Sequence, residues 1–213
     1  FTLFNQDISN WDVSGVQNMS GVFGSDSNFN QNIGAWDVSN ATDMSAMFSG
    51  ASSFDQNIEG WDVSNVTDMS YMFNNAVAFD QNIGNWDVGQ VTIMAVMFNG
   101  ADSFNQDLSN WDVANVTNMN LLFNGAGNFD QNLGSWNIGN VTTMTSMLSS
   151  CGMSSANYGK TLEGWATQLV QSGVKLGAFG LEYCIGSNAE LARDFLITDF
   201  GWTISSDSGV NCP

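Results

Sequence analysis

The sequence predicts an α/β solenoid of 25-residue coils closed by an irregular C-terminal cap, and three residue series carry that reading. Tryptophan recurs at Trp11, Trp36, Trp61, Trp86, Trp111 and Trp136, and methionine at Met19, Met44, Met69, Met94, Met119 and Met144. A Phe-Asn/Asp-Gln triplet opens at Phe4, Phe29, Phe54, Phe79, Phe104 and Phe129. Every step is 25 residues with no insertion, which is the mark of one supersecondary unit whose copies cover each other's apolar faces. The repeats occupy 1–150, and 151–213 forms a capping segment of the same domain.

Within 61–85, Trp61-Asp62-Val63 alternates apolar, acidic and apolar, the period of a strand with one buried face. Turning the aspartates inward would bury a row of like charges with no base in the repeats to pair them, at several kcal/mol each. Trp and Val therefore face the core and Asp faces out. Ser64-Asn65-Val66-Thr67 suits a turn. Thr67 or Asn65 is placed to cap a short helix over 68–74, whose buried face is Val66, Met69, Met72 and Phe73. Gly50, Gly100 and Gly125 stand at the matching helix stop. Ala76 and Phe79 return to the core, Asp80-Gln81-Asn82 makes an exposed bend, and Ile83 anchors it. Stacked coils then form a narrow parallel sheet advancing about 4.8 Å per coil, over ladders of Trp, Met and Phe.

Composition excludes several function classes. The 213 residues are 43% hydrophobic, enough for a core despite a formal charge of -18. All three bases, Lys160, Lys175 and Arg193, follow the repeats, and 1–150 carries fifteen acids and no base. Such a surface repels nucleic acid and anionic membranes. No apolar run reaches the length of a membrane span, so no membrane insertion is expected. With no histidine and no paired-cysteine motif, a zinc site is not expected, and no nucleophile motif, phosphate loop or dinucleotide fingerprint points to an enzyme. The three cysteines, Cys151, Cys184 and Cys212, leave one thiol over. A Cys184–Cys212 disulfide suits an extracellular protein, with Cys151 competing for either partner. The chain opens within a repeat at Phe1, which reads as a processed piece of something longer.

The run W-D-V-S-N-V-T-x-M-x-x-M-F-x-x-A-x-x-F-N/D-Q-N/D-I resembles the BspA-like leucine-rich repeat of bacterial surface proteins, over about residues 1–150 and in six copies. That family is usually described with about 26 residues per repeat, and the 25 used here leave the loop register open. The resemblance implies a right-handed leucine-rich-repeat-like solenoid. It also implies a secreted or cell-surface bacterial protein, non-enzymatic, used in adhesion or ligand binding to a protein or glycan. The tail, with Leu162-Glu163-Gly164-Trp165, Tyr183-Cys184, Ala192-Arg193 and Gly201-Trp202-Thr203-Ile204, looks like the closing segment of such proteins in flavobacteria-type marine bacteria.

Within that tail, 155–172 reads as an amphipathic helix lined by Tyr158, Leu162, Trp165 and Leu169. Ser187-x-x-Glu190 reads as a capping box opening a second helix, with Leu191, Phe195 and Leu196 inward and Gly201 as its stop. Val174-Lys175-Leu176 and Trp202-Thr203-Ile204 copy the Trp-Asp-Val form and are expected to add two irregular coils that seal the core.

The leading candidate for function is the outward row Asp12, Asp37, Asp62, Asp87 and Asp112, continued by Asn137 and then Lys175 and Thr203. Adjacent like charges destabilise a sheet, so the row asks for a reason. One reason is a binding face for a basic peptide, a sugar or a cation, with calcium at Asp62 and Asp87 the fitting ion for hard oxygen ligands. The competing reason is that each Asp accepts bonds from its own turn. Thr42, Thr67, Thr92, Thr117 and Thr142 form a second row, whose spacing would suit ice binding if they lined a flat side. An exposed tryptophan row would make a sugar platform, but its phase with Val places it in the core. Tyr71 breaks the repeat, standing where other coils carry Gly21, Ala46, Val96, Leu121 and Ser146. The expected function is adhesion or ligand binding through the Asp face, with a structural spacer or a carbohydrate- or ice-binding module as alternatives.

Overall fold

A computed structural model describes residues 4–212 as a mixed α/β chain of short strands and helices, with no closed barrel. From Asn18 to Thr143, segments 25 apart lie side by side in parallel register, bridged at Asn18, Asp43, Asp68, Ile93, Asn118 and Thr143 in turn. The Thr67 N–H donates to the Thr42 carbonyl of the preceding segment at 2.9 Å, and the Met69 N–H to the Ile93 carbonyl of the following one at 3.1 Å. This alternation is that of a parallel ladder.

The ladder therefore runs through Thr67-Asp68-Met69, not through the expected strand Trp61-Asp62-Val63. The reason is local competition for the backbone. The Asp62 carboxylate accepts the Ser64 N–H at 3.1 Å and folds that stretch into a turn, removing a donor that a ladder would need. Trp61 and Val63 are nevertheless buried and Asp62 exposed, so the inward-outward assignment holds without the strand.

No helix forms over 68–74. Met69, Tyr71, Phe73 and Asn75 donate sideways to Ile93, Ala95, Met97 and Asn99, at 3.1, 2.9, 2.9 and 2.7 Å. Between them, the N–H groups of Met72, Asn74 and Ala76 close tight turns onto Met69, Tyr71 and Phe73. A helix would spend these donors internally and leave nothing to hold the next segment. The turns need left-handed residues. One such row is Gly21, Ala46, Tyr71, Val96, Leu121 and Ser146, with φ from 54° to 65°. A second is Ser25, Gly50, Asn75, Gly100, Gly125 and Ser150, with φ from 55° to 77°, so the expected helix-stop glycines serve as turn residues. Thr67 and Asn65 are not caps: the Thr67 hydroxyl donates to the Thr42 carbonyl and the Asn65 amide to the Ser39 carbonyl.

The core is one continuous cluster of the repeating apolar positions. Phe73 and Phe79 stack within a segment at 4.0 Å between ring centres, and Phe73 reaches Phe48 and Phe98 in its neighbours at 5.5 and 5.6 Å. Each indole N–H from Trp36 to Trp136 donates to the Ile or Leu carbonyl of the preceding segment, as Trp86 does to Ile58 at 3.2 Å. The Phe-Asn/Asp-Gln triplet is a second seam, not the exposed bend expected. Asp80 N–H and the Gln81 amide both donate to the Asp55 carboxylate, at 3.1 and 2.6 Å, and only Asn82 of that trio is exposed. Gly84 permits close approach there, since a Cβ would run into the Asp107 carbonyl.

The tail contains helix α1 (Ser155–Trp165), strands β1 (Lys175–Gly177) and β2 (Glu182–Cys184), helix α2 (Asn188–Phe200), and strands β3 (Thr203–Ser205) and β4 (Ser208–Val210). β1 continues the ladder through a bridge from Met144 to Leu176 and pairs in parallel with β3; β2 pairs with β4. The two added strands thus occur one residue later than expected. Helix α1 stops at Trp165 and not near 172, leaving Leu169 89% exposed. Trp165 extends the indole seam, donating to Leu133 at 3.0 Å. On α2, Ser187 caps as expected, Gly201 ends the helix at φ 66°, and Leu196 is buried. Leu191 and Phe195 point out, because Ala189 and Ala192 take the inner face against α1. Cys184 and Cys212 form the disulfide and Cys151 is free.

Candidate functional site

The aspartate row lies on the turns that replaced the expected strands. Asp12, Asp37, Asp62, Asp87, Asp112 and Asn137 are all exposed, and each spends Oδ1 on the N–H two residues ahead, at 3.0 to 3.2 Å. The first three also accept the hydroxyl of Ser14, Ser39 or Ser64 at 2.6 Å. Those hydroxyl bonds, then the N–H bonds, hold the Asp12, Asp37 and Asp62 carboxyls below the ordinary range. Neighbouring Asp62 and Asp12 push Asp37 the other way, and the turn bonds prevail.

The row does not run on to Lys175 and Thr203. Those two pair with each other one residue before Leu176, which bridges Met144, so they continue the ladder row of Thr143. Beyond Asn137, Gln168 and Gln171 take over by donating to the Trp136 and Gly139 carbonyls. Among the described residues no group of three or more His, Cys, Asp or Glu side chains is arranged to hold a metal ion, Asp62 and Asp87 included.

The threonine row is exposed, and its hydroxyls from Thr67 to Thr142 donate to the preceding threonine carbonyl at 3.1 to 3.3 Å. Of the tryptophans, only Trp11 is exposed, at the first segment. There a cavity of about 240 Å³ opens between Trp11, Val13, Val16, Met19, Val22 and Trp36.

The ladder face changes character at its middle. Asn18, Asp43, Asp68 and Asn118 each accept the N–H two residues on, but Ile93 stands in that row and has no such acceptor. Beside it lie Ala95, Val96, Tyr71 and Leu121. Between residues 23 and 150, only Tyr71 and Val77 are exposed large apolar side chains. Sequence reasoning flagged Tyr71 as a break in the repeat but missed Ile93; the signal was an apolar residue in a row otherwise made of Asp, Asn and Thr.

The tail holds a separate polar cluster. Arg193 grips Asp207 with two bonds, at 2.7 and 2.8 Å, and the Tyr158 hydroxyl donates to the same carboxylate at 2.9 Å. The Arg193 guanidinium lies 5.0 Å from the Tyr183 ring centre. Burial, then the Asp207 charge, raise Tyr158 well above its ordinary pKa. These groups satisfy one another and tie β4 to both helices, which is structural work.

A family model described as a Mycoplasma protein of unknown function, DUF285, matches residues 1–94 and again 56–165. The chain belongs to the DUF285 family. It is a BspA-like repeat family, in keeping with the sequence resemblance. The two DUF285 placements overlap as a repeat allows, and together they reach Trp165, where the indole seam also arrives. No curated protein and no solved structure matches the chain.

Proposed function

We propose that the 25-residue segments of 1–150 form a leucine-rich-repeat-like solenoid, closed by 151–213, that works as a non-enzymatic adhesion or ligand-binding module. The constant offset of the lateral bonds supports the solenoid, and a right-handed course follows from the near-universal hand of parallel crossovers. The module belongs to a secreted or cell-surface bacterial protein. The Cys184–Cys212 disulfide supports an oxidising compartment. The tail is read as a flavobacteria-type closing segment.

One observation carries the reading: Asp12, Asp37, Asp62, Asp87 and Asp112 stand exposed in register, with Oδ1 fixed by the turn and Oδ2 left for a partner. Their ligand is a surface protein or glycan, and calcium is the ion a carboxylate row would recruit. The self-contained turn bonds favour a second reading, a spacer that holds another domain off the cell. The test is binding to arrayed glycans and surface proteins, with and without calcium, by wild type and by the Asp62→Asn/Asp87→Asn/Asp112→Asn variant. The module reading expects capture that the variant weakens. Capture indifferent to the variant removes the Asp face from the site, and no capture at all leaves the spacer.

A further inference from the structure

We propose that the middle of the ladder face, lined by Tyr71, Ile93 and Leu121 over a buried Val96, docks a basic polypeptide segment that carries an apolar side chain. This rests on the reading of the repeats as a binding module and names the partner's chemistry.

The patch is formed against local preference. The turn position shared by Gly21, Ala46, Tyr71, Val96, Leu121 and Ser146 is left-handed in every segment. Glycine or asparagine suits it, and β-branched residues do so worst. Here the largest side chains, Tyr71, Val96 and Leu121, occupy three consecutive central segments, at φ 59°, 64° and 57°. The outer segments carry Gly, Ala and Ser. The same centre gives up the side-chain acceptor of the bridge row, because Ile93 replaces the Asp or Asn found on either side. Ala95 replaces the serine of Ser20, Ser45 and Ser70. Three rows thus turn apolar together: Val96 and Ala95 are buried there at 8% and 9%, Ile93 and Leu121 are half-buried on either side, and Tyr71 remains 46% exposed. Backbone strain kept beside an exposed aromatic is the pattern of a site rather than of a core.

Charge selects the occupant. Residues 1–150 hold fifteen acids and no base. Asp43 and Asp68 pair side by side in the ladder next to the patch, and their nearest described partners are the Ser45 and Ser70 N–H groups and the Asn18 amide. A partner crossing this face meets an apolar strip about two ladder spacings long, roughly 10 Å, beside two carboxylates. An apolar residue against Tyr71 and Leu121, with lysine or arginine against Asp43 and Asp68, complements both features. Lysine or arginine also gains from the Tyr71 ring face. An acidic segment is repelled by the field of the whole row.

The experiment measures binding of fluorescent peptides to the full chain in about 0.15 M salt, where long-range attraction is screened. One short peptide alternates lysine and leucine; a second has the same charge and no leucine; a neutral oligosaccharide is the third probe. The expected result is that the lysine–leucine peptide binds about tenfold tighter than its all-polar counterpart. Tyr71→Gly/Leu121→Gly is expected to erase that difference without lowering the melting temperature, since glycine suits the left-handed positions. Tyr71→Ser, the side chain the row itself carries at Ser146, is the second variant should the first fold poorly. Equal binding of both peptides, or binding that neither variant alters, overturns the proposal. So does Tyr71-dependent capture of the oligosaccharide alone, which would leave the binding-module reading standing.

Discussion

At Ser64 a single hydroxyl decides how the carboxylate in front of it behaves. It donates to Asp62 at 2.6 Å while the Ser64 N–H donates to the same oxygen at 3.1 Å, and both bonds favour the charged form. The Asp62 pKa is therefore depressed in the fold. A depressed carboxylate contributes stability above its unfolded pKa and loses it as pH falls through the folded value. Ser64→Ala removes the larger of the two bonds, so the Asp62 pKa should rise, and the acid limb of the unfolding curve should begin at higher pH. Side-chain NMR titration of wild type and variant reads this directly; an unmoved Asp62 would show that the hydroxyl bond is not kept in solution. Which aspartates face out was legible from the sequence, because Trp and Val on either side had to go in. That each fixes its own turn was visible only as a competing possibility: Asp followed two residues later by Ser fits a strand edge or a turn.

At the scale of one segment, the sequence was legible in its burial and misleading in its backbone. Val66, Met69, Met72 and Phe73 are all fully buried, as a helical face would be. Tandem turns bury residues at nearly the same spacing, so apolar periodicity does not tell the two apart. The difference lies in where the N–H groups go. At Met69, Tyr71, Phe73 and Asn75 they go sideways, a choice that depends on a neighbour 25 residues away. The indole seam is of the same kind. Trp86→Phe keeps most of the ring but strips the Ile58 carbonyl of its indole donor, and should cost about 1 kcal/mol or somewhat more. Trp86→Ala removes the ring as well, from a site 4% exposed, and should cost about 3–5 kcal/mol. Urea melts of the two variants separate bond from packing. Equal losses would mean that the seam contributes only through the indole bond, and a Trp86→Phe variant as stable as wild type would mean that it contributes only through ring volume.

For the whole molecule, the question is how far the ladder and the indole seam run. The ladder does not stop at Thr143: it passes through Met144 to β1 and on to β3, and the indole seam passes to Trp165. The sequence suggested two further strands because Val174-Lys175-Leu176 and Trp202-Thr203-Ile204 copied a repeat fragment. Their register was hidden, because helix α1 lengthens the step from Trp136 to Trp165 and breaks the count. β4 is the last strand, and two devices pin it: the Arg193–Asp207 pair just before it and the Cys184–Cys212 disulfide just after. The disulfide closes a separation of 28 residues, for which loop entropy allows about 3.6 kcal/mol. Reduction should therefore lower the melting temperature by several degrees and raise amide exchange first in β2 and β4, while the central segments stay protected. Cys151 does not confuse the measurement, since burial pushes its thiol up to about 11 and leaves little thiolate to enter exchange near neutral pH. If exchange rose evenly from the first segment to the last, the tail and the repeats would be one cooperative unit, and the disulfide would be stabilising the whole ladder through its final strand.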